Sequence, residues 1–409
     1  MLVYFVAAVL TVLHGFAVHF TYQKVREPYM DEIFHMNLTR LYCSGDFSTW
    51  NPKITTPPAL YLLATAFFCG AERYTNTLLV PIAFLVVYRL RLQLFPKSFA
   101  VADALAVMSV PVLLHSSLLF YTDLLSLATV LAGVSFGIDR KHLLSTLFFA
   151  IAVLTRQTNI VWASMFGLDT LVRCYRRSHP VGSLLRTIAR LWSLVLLGIG
   201  FVVFVVVNQG IVLGDRSAHE LKFHSMQVLY CSVFIVFSSA PHFLTHLPGL
   251  LRHIVSHPLR QLVFLVPIGL AIHFTSIDHP YLLADNRHIA FYVWQRFFRR
   301  HELLKYLYAP IYLFAITYAL KSVRTVPRHV VLLATVALCA VLVPAHLLEP
   351  RYFIIPYVVW RLGTKTVHLW TVVLEMLFNV AVAGAVLYLF YFRPFEWPSE
   401  PGVKQRFMW

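Results

Sequence analysis

The chain has 409 residues, of which 59% are hydrophobic and 13% are charged, and its mean hydropathy is +0.70. A soluble domain is about half apolar and about a quarter charged. The composition therefore excludes a soluble protein and indicates an all-α polytopic membrane protein, with one integral domain over residues 1–409. The formal net charge of +16 does not indicate nucleic-acid binding, because the Lys and Arg residues stand in short runs between apolar segments.

Apolar stretches long enough to cross a bilayer predict about twelve to thirteen transmembrane helices. They fall at roughly 2–20, 76–94, 101–120, 122–138, 143–158, 160–172, 191–208, 225–240, 259–275, 304–321, 328–346, 352–367 and 370–392. We expect the first stretch to be a retained helix, because the basic residues that begin a signal peptide are missing before it. Residues 57–69 are apolar but short, which predicts a helix lying on the membrane or dipping into it.

The basic loops predict the orientation of these helices, because Lys and Arg accumulate on the cytosolic side. With the basic loops in the cytosol, the loops at about 21–75, 209–222 and 276–303 face the lumen. The first helix disagrees, because Lys24 and Arg26 follow it and no basic residue precedes it. We give the several later loops more weight than this single flank.

Two remaining features of the sequence concern its cysteines and its last residues. The five cysteines, at positions 43, 69, 174, 231 and 339, form no CxxC pair and no metal-ligand spacing. We therefore expect neither a disulfide framework nor a zinc site. The polar tail at 393–409 contains three prolines and is expected to be irregular.

The stretch from Tyr29 to Leu60 is a polar island directly after the first apolar helix. It contains the adjacent acids Asp31 and Glu32, and helical spacing would place His35 one turn from both, as a candidate to contact the substrate or its phosphate. An ionised acid at a helix N-terminus beside the membrane can act as a general base toward a sugar hydroxyl. The alternative is an N-terminal charge that only stabilises its helix.

Four other polar segments carry side chains able to contact a phosphate or a sugar. The candidates are Arg156, Gln157 and Asn159 in an apolar hairpin, Arg216 in a short loop, Asp285, Arg287 and His288 before an aromatic run, and Arg351 after an apolar helix. Arginine recognises phosphate and carboxylate through paired hydrogen bonds. The alternatives are hydrogen bonding that holds a helix break in the hairpin and a simple helix-end charge at Arg351.

Several nucleotide-binding and metal-binding patterns are absent from the sequence. There is no Walker A loop, no glycine-rich dinucleotide motif and no dedicated DxD motif. The remaining pattern is a loop acid with several basic loops. It suits a lipid monophosphate sugar donor, whose phosphate leaves against basic side chains without a metal or a cofactor.

Together and in order, these motifs resemble those of the endoplasmic reticulum α-1,2-glucosyltransferases that add the terminal glucose to the lipid-linked oligosaccharide for N-glycosylation. The matching stretches are YMDEIFH with the ITTPP turn at 54–58, YTD at 121–123, RQTNIVW at 156–162, GDRSAHE at 214–220, HPYLLADNRH at 279–288 with FYVW at 291–294, LLEPRYFIIPY at 347–357 and RFMW at 406–409. HPYLLADNRH together with RQTNIVW is the specific part of the match, and the match covers almost the whole chain.

The resemblance implies a GT-C glycosyltransferase fold in the endoplasmic reticulum membrane with a luminal active site. The implied donor is dolichyl phosphate glucose, and the implied acceptor is the diglucosylated oligosaccharide on dolichyl diphosphate. The family uses an acid of the first luminal loop for an inverting, metal-independent transfer. We assign that role to Asp31, with Glu32 as the second choice. The sequon Asn37-Leu38-Thr39 lies about two turns from Asp31 on the predicted helix, so we expect no glycan there.

Two alternatives to this function stay open. A related GT-C enzyme would use dolichyl phosphate mannose as its donor. A membrane transporter or scaffold would carry polar residues inside its spans near the midplane. The polar residues here cluster in loops on one side, which favours an enzyme.

Overall fold

The computed structural model describes residues 1–214, 221–277, 279 and 285–409. These residues are mostly α-helical, which confirms the prediction of an all-α polytopic membrane protein. The helices of the first half are α1 (Leu2–Lys24), α2 (Glu32–Cys43), α3 (Ala59–Phe67), α4 (Tyr74–Leu94), α5 (Ala100–Met108), α6 (Pro111–Ser117), α7 (Asp123–Ile138), α8 (His142–Val153), α9 (Ile160–Cys174), α10 (Pro180–Arg190) and α11 (Trp192–Val207). Those of the second half are α12 (Met226–Ser238), α13 (Ala240–Ser256), α14 (Pro258–Thr275), α15 (Ile289–Val293), α16 (Ala309–Ser322), α17 (Arg328–Leu342), α18 (Ile354–Gly363) and α19 (Leu369–Phe392).

Within the described residues, four helices are long and apolar enough to cross a membrane: α1, α4, α14 and α19. Three further pairs of neighbouring helices pass the same test only when each pair is taken together. The two helices of a pair meet at a bend, which is 67° between α5 and α6, 80° between α10 and α11, and 105° between α12 and α13. Pro111 and Pro241 stand at two of these bends, where proline cannot donate the helical hydrogen bond. Up to seven spans result if each pair counts as one. The run predicted as one span at 101–120 is thus two helices, and a total of twelve to thirteen stays a prediction.

The chain divides into two compact units. The first comprises Met1–Ala104, Ser116–His219 and Pro327–Ala337. The second comprises Leu105–His115, Glu220–Val326 and Leu338–Trp409.

The core of the first unit encloses α7. This helix is apolar around its whole circumference, as expected of a helix buried on all sides, and most of its residues are buried. Two glycines let aromatic rings approach its backbone. A Cβ at Gly133 would lie 2.9 Å from the Phe149 ring, and one at Gly137 would lie 2.2 Å from the Phe166 ring. This packing holds the start of α7 at a fixed place beside the turn between α8 and α9.

The core of the second unit contains a buried ion pair between α18 and α19. Arg361 lies 2.8 Å from Glu375, and neither side chain is more than 2% exposed. The Tyr357 hydroxyl donates a second hydrogen bond to Glu375 at 2.9 Å. Because an unpaired charge at such a place would be costly, the pair fixes how the two helices pack.

The tail after α19 is a hairpin, so the expectation of an irregular tail is wrong. Strands β1 (Phe395–Trp397) and β2 (Glu400–Gln405) pair antiparallel, with Phe395 opposite Gln405. The prolines do not prevent pairing, because a two-stranded sheet offers edge positions at which no ladder donor is required. Gly402, with φ of 84°, supplies the left-handed conformation that β2 needs next to Pro401.

Two of the cysteines are paired, so the expectation that they would not form disulfides is also wrong. Cys43 at the end of α2 is bonded to Cys69 just after α3, with the Cα atoms 6.0 Å apart. The two residues stand 26 positions apart in the sequence, and only the packing of α3 against α2 brings them together. The other three cysteines are free.

Candidate active site

The first candidate acid stands where the chain turns from α1 into α2. Met30 has a positive φ of 55°, which is uncommon for a residue other than glycine and marks a sharp turn. Asp31 follows as the residue before α2, and its carbonyl accepts the N–H of His35 at 3.1 Å. Its side chain is half-buried and does not cap the helix. The carboxylate of Asp31 therefore stands at the helix N-terminus, where the helix dipole favours its ionised form.

Glu32, the next residue, has a different environment. Its side chain is fully buried and pairs with Arg73, with Nε to Oε1 at 2.9 Å and Nη2 to Oε2 at 2.7 Å. Its two oxygens also accept the backbone N–H groups of Tyr29 at 3.0 Å and Phe120 at 2.7 Å. Both oxygens of Glu32 are therefore occupied in holding the backbone around Asp31.

Arg73 anchors the same turn to the end of α1. Its side chain is fully buried and donates to the carbonyls of Val25 at 2.6 Å and Glu27 at 3.3 Å. Its guanidinium lies over the Tyr22 ring, 4.8 Å from the centroid, and its backbone N–H donates to the Tyr22 hydroxyl at 3.0 Å. One side chain thus joins α1, the turn before Asp31 and the start of α2.

His35 lies one turn after Asp31, as the sequence predicts, but it faces a protein interior. It is 8% exposed, and its Nδ1 lies 3.2 Å from the Phe120 carbonyl. Its ring packs 5.3 Å from the Tyr61 ring and 6.2 Å from the Tyr121 ring. His35 therefore connects α2 to α3 and to the YTD segment.

Tyr61 is buried in α3, where the charges of Asp31 and Arg156 act on its hydroxyl. Burial raises the pKa of its hydroxyl, and the hydrogen bond with Thr56 at 2.8 Å lowers it. The negative charge of Asp31 raises this pKa further, whereas the positive charge of Arg156 lowers it. Asp31 and Arg156 are thus both close enough to Tyr61 to act on the same hydroxyl.

Arg156 pairs with the YTD segment at the start of α7. It donates to Thr122 and to Asp123, both at 2.9 Å. Its side chain is 18% exposed, whereas that of Asp123 is 1% exposed. Arg156 thus pairs with an acid of the protein while part of its side chain stays accessible, and its contact with a phosphate stays a prediction.

The two other candidates of this turn bind the protein backbone. Gln157 donates to the Thr55 carbonyl at 2.7 Å and so holds the ITTPP turn of the first loop. Asn159 is 1% exposed and donates to the Ala152 carbonyl at 2.8 Å and to Ser126 at 2.7 Å. These bonds match the alternative that the polar residues hold a break between two helices.

The first loop is held at two further points. The disulfide between Cys43 and Cys69 joins the ends of α2 and α3. Gly214, with φ of 63°, lies so close to the loop that a Cβ would be 2.1 Å from the Pro52 carbonyl oxygen. Asn37 of the sequon is exposed on α2. The expectation that Asn37 carries no glycan stays a prediction. Residues 215–220, with the candidate Arg216, lie outside the described residues.

In the second unit, the candidates at 285–288 form one cluster. Arg287 binds Asp285 through Nε at 2.8 Å and Nη2 at 2.6 Å, and His288 Nε2 lies 3.6 Å from the same carboxylate. Burial opposes the ionisation of Asp285, yet the hydrogen bonds from Arg287 and the nearby His288 hold the pKa of Asp285 below its ordinary value. Residues 280–284 of the same motif lie outside the described residues.

Arg351 pairs with Glu349 and is 16% exposed. Its charge and that of His288 both act on His115 in α6, so the three side chains lie in one neighbourhood of the second unit. His115 is 1% exposed, and among the described residues its buried Nε2 has no hydrogen-bond partner. A buried polar atom normally has a hydrogen-bond partner, and a polar ligand or a water molecule can serve as one.

The structure thus brings the candidates together in two groups, one in each unit. Asp31, Glu32, His35, Arg156, Gln157 and Asn159 belong to the first unit, and Asp285, Arg287, His288 and Arg351 belong to the second. Reasoning from the sequence missed Arg73, Tyr61 and His115. An ionisable residue inside an apolar run is a usable signal for His115, whereas Tyr61 in its apolar run offers none. In the described part of the chain, no three His, Cys, Asp or Glu side chains are grouped as metal ligands.

Comparison with known proteins agrees with these motifs. The model of the DIE2/ALG10 family matches residues 25–183 and 168–362. A mouse (Mus musculus) protein is 34% identical over 94% of both chains, and a human (Homo sapiens) protein is 33% identical over the same shares. An Arabidopsis thaliana protein is 30% identical over 94% of this chain and 95% of its own. All three carry the name Dol-P-Glc:Glc(2)Man(9)GlcNAc(2)-PP-Dol alpha-1,2-glucosyltransferase. No solved structure matches the chain. With matches that extend over nearly its whole length, the chain belongs to the DIE2/ALG10 family.

Proposed function

We propose that this protein transfers glucose from dolichyl phosphate glucose to the diglucosylated oligosaccharide of dolichyl diphosphate and forms the terminal α-1,2 linkage. The observation that carries the proposal is the similarity of 94% of the chain to relatives whose names state this reaction. The acid and the basic side chains that such a transfer needs are present in the described structure.

We propose Asp31 as the general base, and the geometry supports it over Glu32. A base must reach the substrate hydroxyl, so its side chain must be accessible from outside the protein core. Asp31 is half-buried at a helix N-terminus, where its ionised form is favoured. Glu32 is fully buried, and both of its oxygens accept hydrogen bonds from Arg73 and from the backbone. Protonating Glu32 would break the ion pair that holds the turn.

The proposed reaction is a single displacement. The 2-hydroxyl oxygen of the terminal acceptor glucose attacks the anomeric carbon of the donor while Asp31 takes the hydroxyl proton. The bond between the anomeric carbon and the phosphate oxygen breaks, and dolichyl phosphate leaves with both bonding electrons. Inversion follows because attack and departure occur on opposite faces of the donor sugar.

The leaving phosphate requires positive charge and hydrogen-bond donors. We propose Arg156, Arg216, Arg287, His288 and Arg351 as the side chains that contact a phosphate or a sugar. The partly exposed side chains of Arg156, Arg287 and Arg351 support this, because each is held by an acid of the protein and still has accessible surface. For His35, Gln157, Asn159 and Asp285 we propose a supporting role, since their hydrogen bonds go to protein groups.

We propose that the protein lies in the endoplasmic reticulum membrane with the first loop in the lumen. The Cys43–Cys69 disulfide supports this side, because disulfides persist in oxidising compartments and are rare in the cytosol. The basic loops and the flanks of α1 predict opposite orientations, and the disulfide agrees with the orientation that the basic loops predict.

The experiment that tests the function is glucose transfer by purified protein in lipid. The substrates are dolichyl phosphate glucose and a diglucosylated acceptor, and Asp31→Asn and Glu32→Gln are assayed beside the wild type. We expect wild-type transfer, none above background with Asp31→Asn, and normal folding of that variant, because the Asp31 side chain does not cap α2. Glu32→Gln is expected to unfold more easily.

Two outcomes would contradict parts of the proposal. If Asp31→Asn kept near wild-type turnover, Asp31 would not be the base. If folded wild-type protein transferred mannose from dolichyl phosphate mannose and no glucose, the assigned donor would be wrong.

A further inference from the structure

The chain that follows α19 pairs with the backbone at Arg287. The Met408 N–H donates to the Arg287 carbonyl at 2.7 Å, and the Ile289 N–H donates to the Met408 carbonyl at 3.2 Å. Met408 and His288 form a parallel bridge between these bonds. The His288 Nδ1 is hydrogen-bonded to the Trp409 carbonyl. Residues 287–289 therefore lie beside residues 408–409, joined by an isolated β-bridge at His288.

Side chains of the hairpin surround the Arg287 guanidinium. Its Nη1 donates to the Gln405 Oε1 at 3.1 Å, and its guanidinium carbon lies 4.7 Å from the centroid of the Trp397 ring. The Trp397 indole N–H donates to the Asn286 side chain at 2.7 Å. Together with the two bonds to Asp285, these contacts determine the orientation of the Arg287 side chain.

The hairpin is itself attached to the end of α19. Arg406 is 7% exposed and donates to the Phe390 carbonyl at 2.8 Å, among the last carbonyls of that helix. Gln405 donates through Nε2 to Glu400 at 3.0 Å, at the other end of β2. The contacts around Arg287 thus depend on a segment that is fixed independently of Arg287.

We propose that the segment from Phe395 to Trp409 is a positioning element, which orients Arg287 and His288 toward the phosphate of a lipid-linked substrate. The Arg287 side chain is 19% exposed, so an anion can approach it. Holding a hydrogen-bonding side chain in place before the substrate binds increases its contribution to affinity, because less side-chain freedom is lost on binding. The inference rests on the proposed function, since that function supplies the phosphate.

The same contacts indicate on which side of the membrane the tail lies. Residues 393–409 lie against residues 286–292, so both segments face the same compartment. In the orientation of the proposed function, that compartment is the lumen.

The test compares Gln405→Leu with the wild type in the glucose-transfer assay. Gln405→Leu removes the hydrogen bond to a charged donor, so we expect the KM for dolichyl phosphate glucose to rise about tenfold while kcat changes less than about twofold. The double variant Glu400→Gln with Gln405→Glu keeps an acceptor for Arg287 and a hydrogen bond between positions 400 and 405 of β2. It is expected to restore the KM. Lys404→Gln, an exposed neighbour on the same strand, is the control and should leave KM unchanged.

Hydrogen–deuterium exchange of the peptide 285–293 supplies a readout that does not need activity. We expect faster exchange there in Gln405→Leu, and also in Trp397→Leu, which serves as the second variant if the first does not fold. Unchanged exchange in both variants, or a reduced kcat with the wild-type KM, would overturn the positioning role. Wild-type protein without glucose transfer would refute the proposed function, and the exchange of 285–293 would then still decide whether the hairpin holds Arg287.

Discussion

Arg73→Met removes the cation of the buried pair that holds the turn before Asp31. The Glu32 carboxylate would stay in a fully buried place without its counter-ion, while the carbonyls of Val25 and Glu27 would lose their donor. Removing one partner of a buried ion pair costs about 3–5 kcal/mol. That change lowers the ratio of folded to unfolded protein by about two to four orders of magnitude.

The matched control is Arg173→Met. Arg173 also pairs with an acid, Asp169, but its side chain is 56% exposed. An exposed pair of this kind contributes about 0–1 kcal/mol, because water already screens and solvates both charges. Both variants lose one arginine and one ion pair, so the difference between them reports the burial of the pair.

The assay is thermal unfolding of the purified protein in detergent, followed by tryptophan fluorescence, with glucose transfer measured on the folded fraction. We expect a large decrease in the unfolding midpoint for Arg73→Met and a small one for Arg173→Met. Adding Glu32→Gln to Arg73→Met removes the uncompensated charge and should recover part of the stability. Transfer should stay low in the double variant, because the turn before Asp31 has still lost its anchor. Equal midpoints for Arg73→Met and Arg173→Met would refute the reasoning.

Three further predictions concern groups that support the first loop and the turn after α8. Cys43→Ser opens a loop with a sequence separation of 26 residues, so the free energy of unfolding should fall by about 3.5 kcal/mol in thermal or denaturant unfolding, whereas Cys339→Ser should have no comparable effect. Gly214→Ala places a Cβ against main-chain carbonyls of the first loop, and kcat/KM should fall by about tenfold to a hundredfold, whereas Gly198→Ala, with open space around it, should keep full activity. Asn159→Ala leaves buried partners unsatisfied and should cost about 1–3 kcal/mol of stability with an unchanged KM for the donor; a raised KM with normal stability would instead indicate substrate contact.

The candidate residues could be selected from the sequence because they are polar in an apolar chain. Asp31, Arg156 and Arg287 stand out for this reason. In the structure, Asp31 lies at the start of a helix, and Arg156 and Arg287 each pair with an acid. Their substrate contacts stay predictions. Arg73 was not selected, although it is charged, because nothing in a linear pattern distinguishes a buried cation from a solvated one. Tyr61 was not selected, because an aromatic residue in an apolar run has no polar signature.

The sequence by itself determined the all-α membrane class, the family and the polar segments of the site. These properties depend on composition and on the order of neighbouring residues, and the sequence contains both in full. Only the tertiary structure decided that Cys43 bonds to Cys69, that Glu32 is paired with Arg73, and that the tail binds Arg287 as a hairpin. Each of these contacts joins residues that are far apart in the sequence. Their energies depend on burial and on distances between side chains, which exist only after the helices have packed.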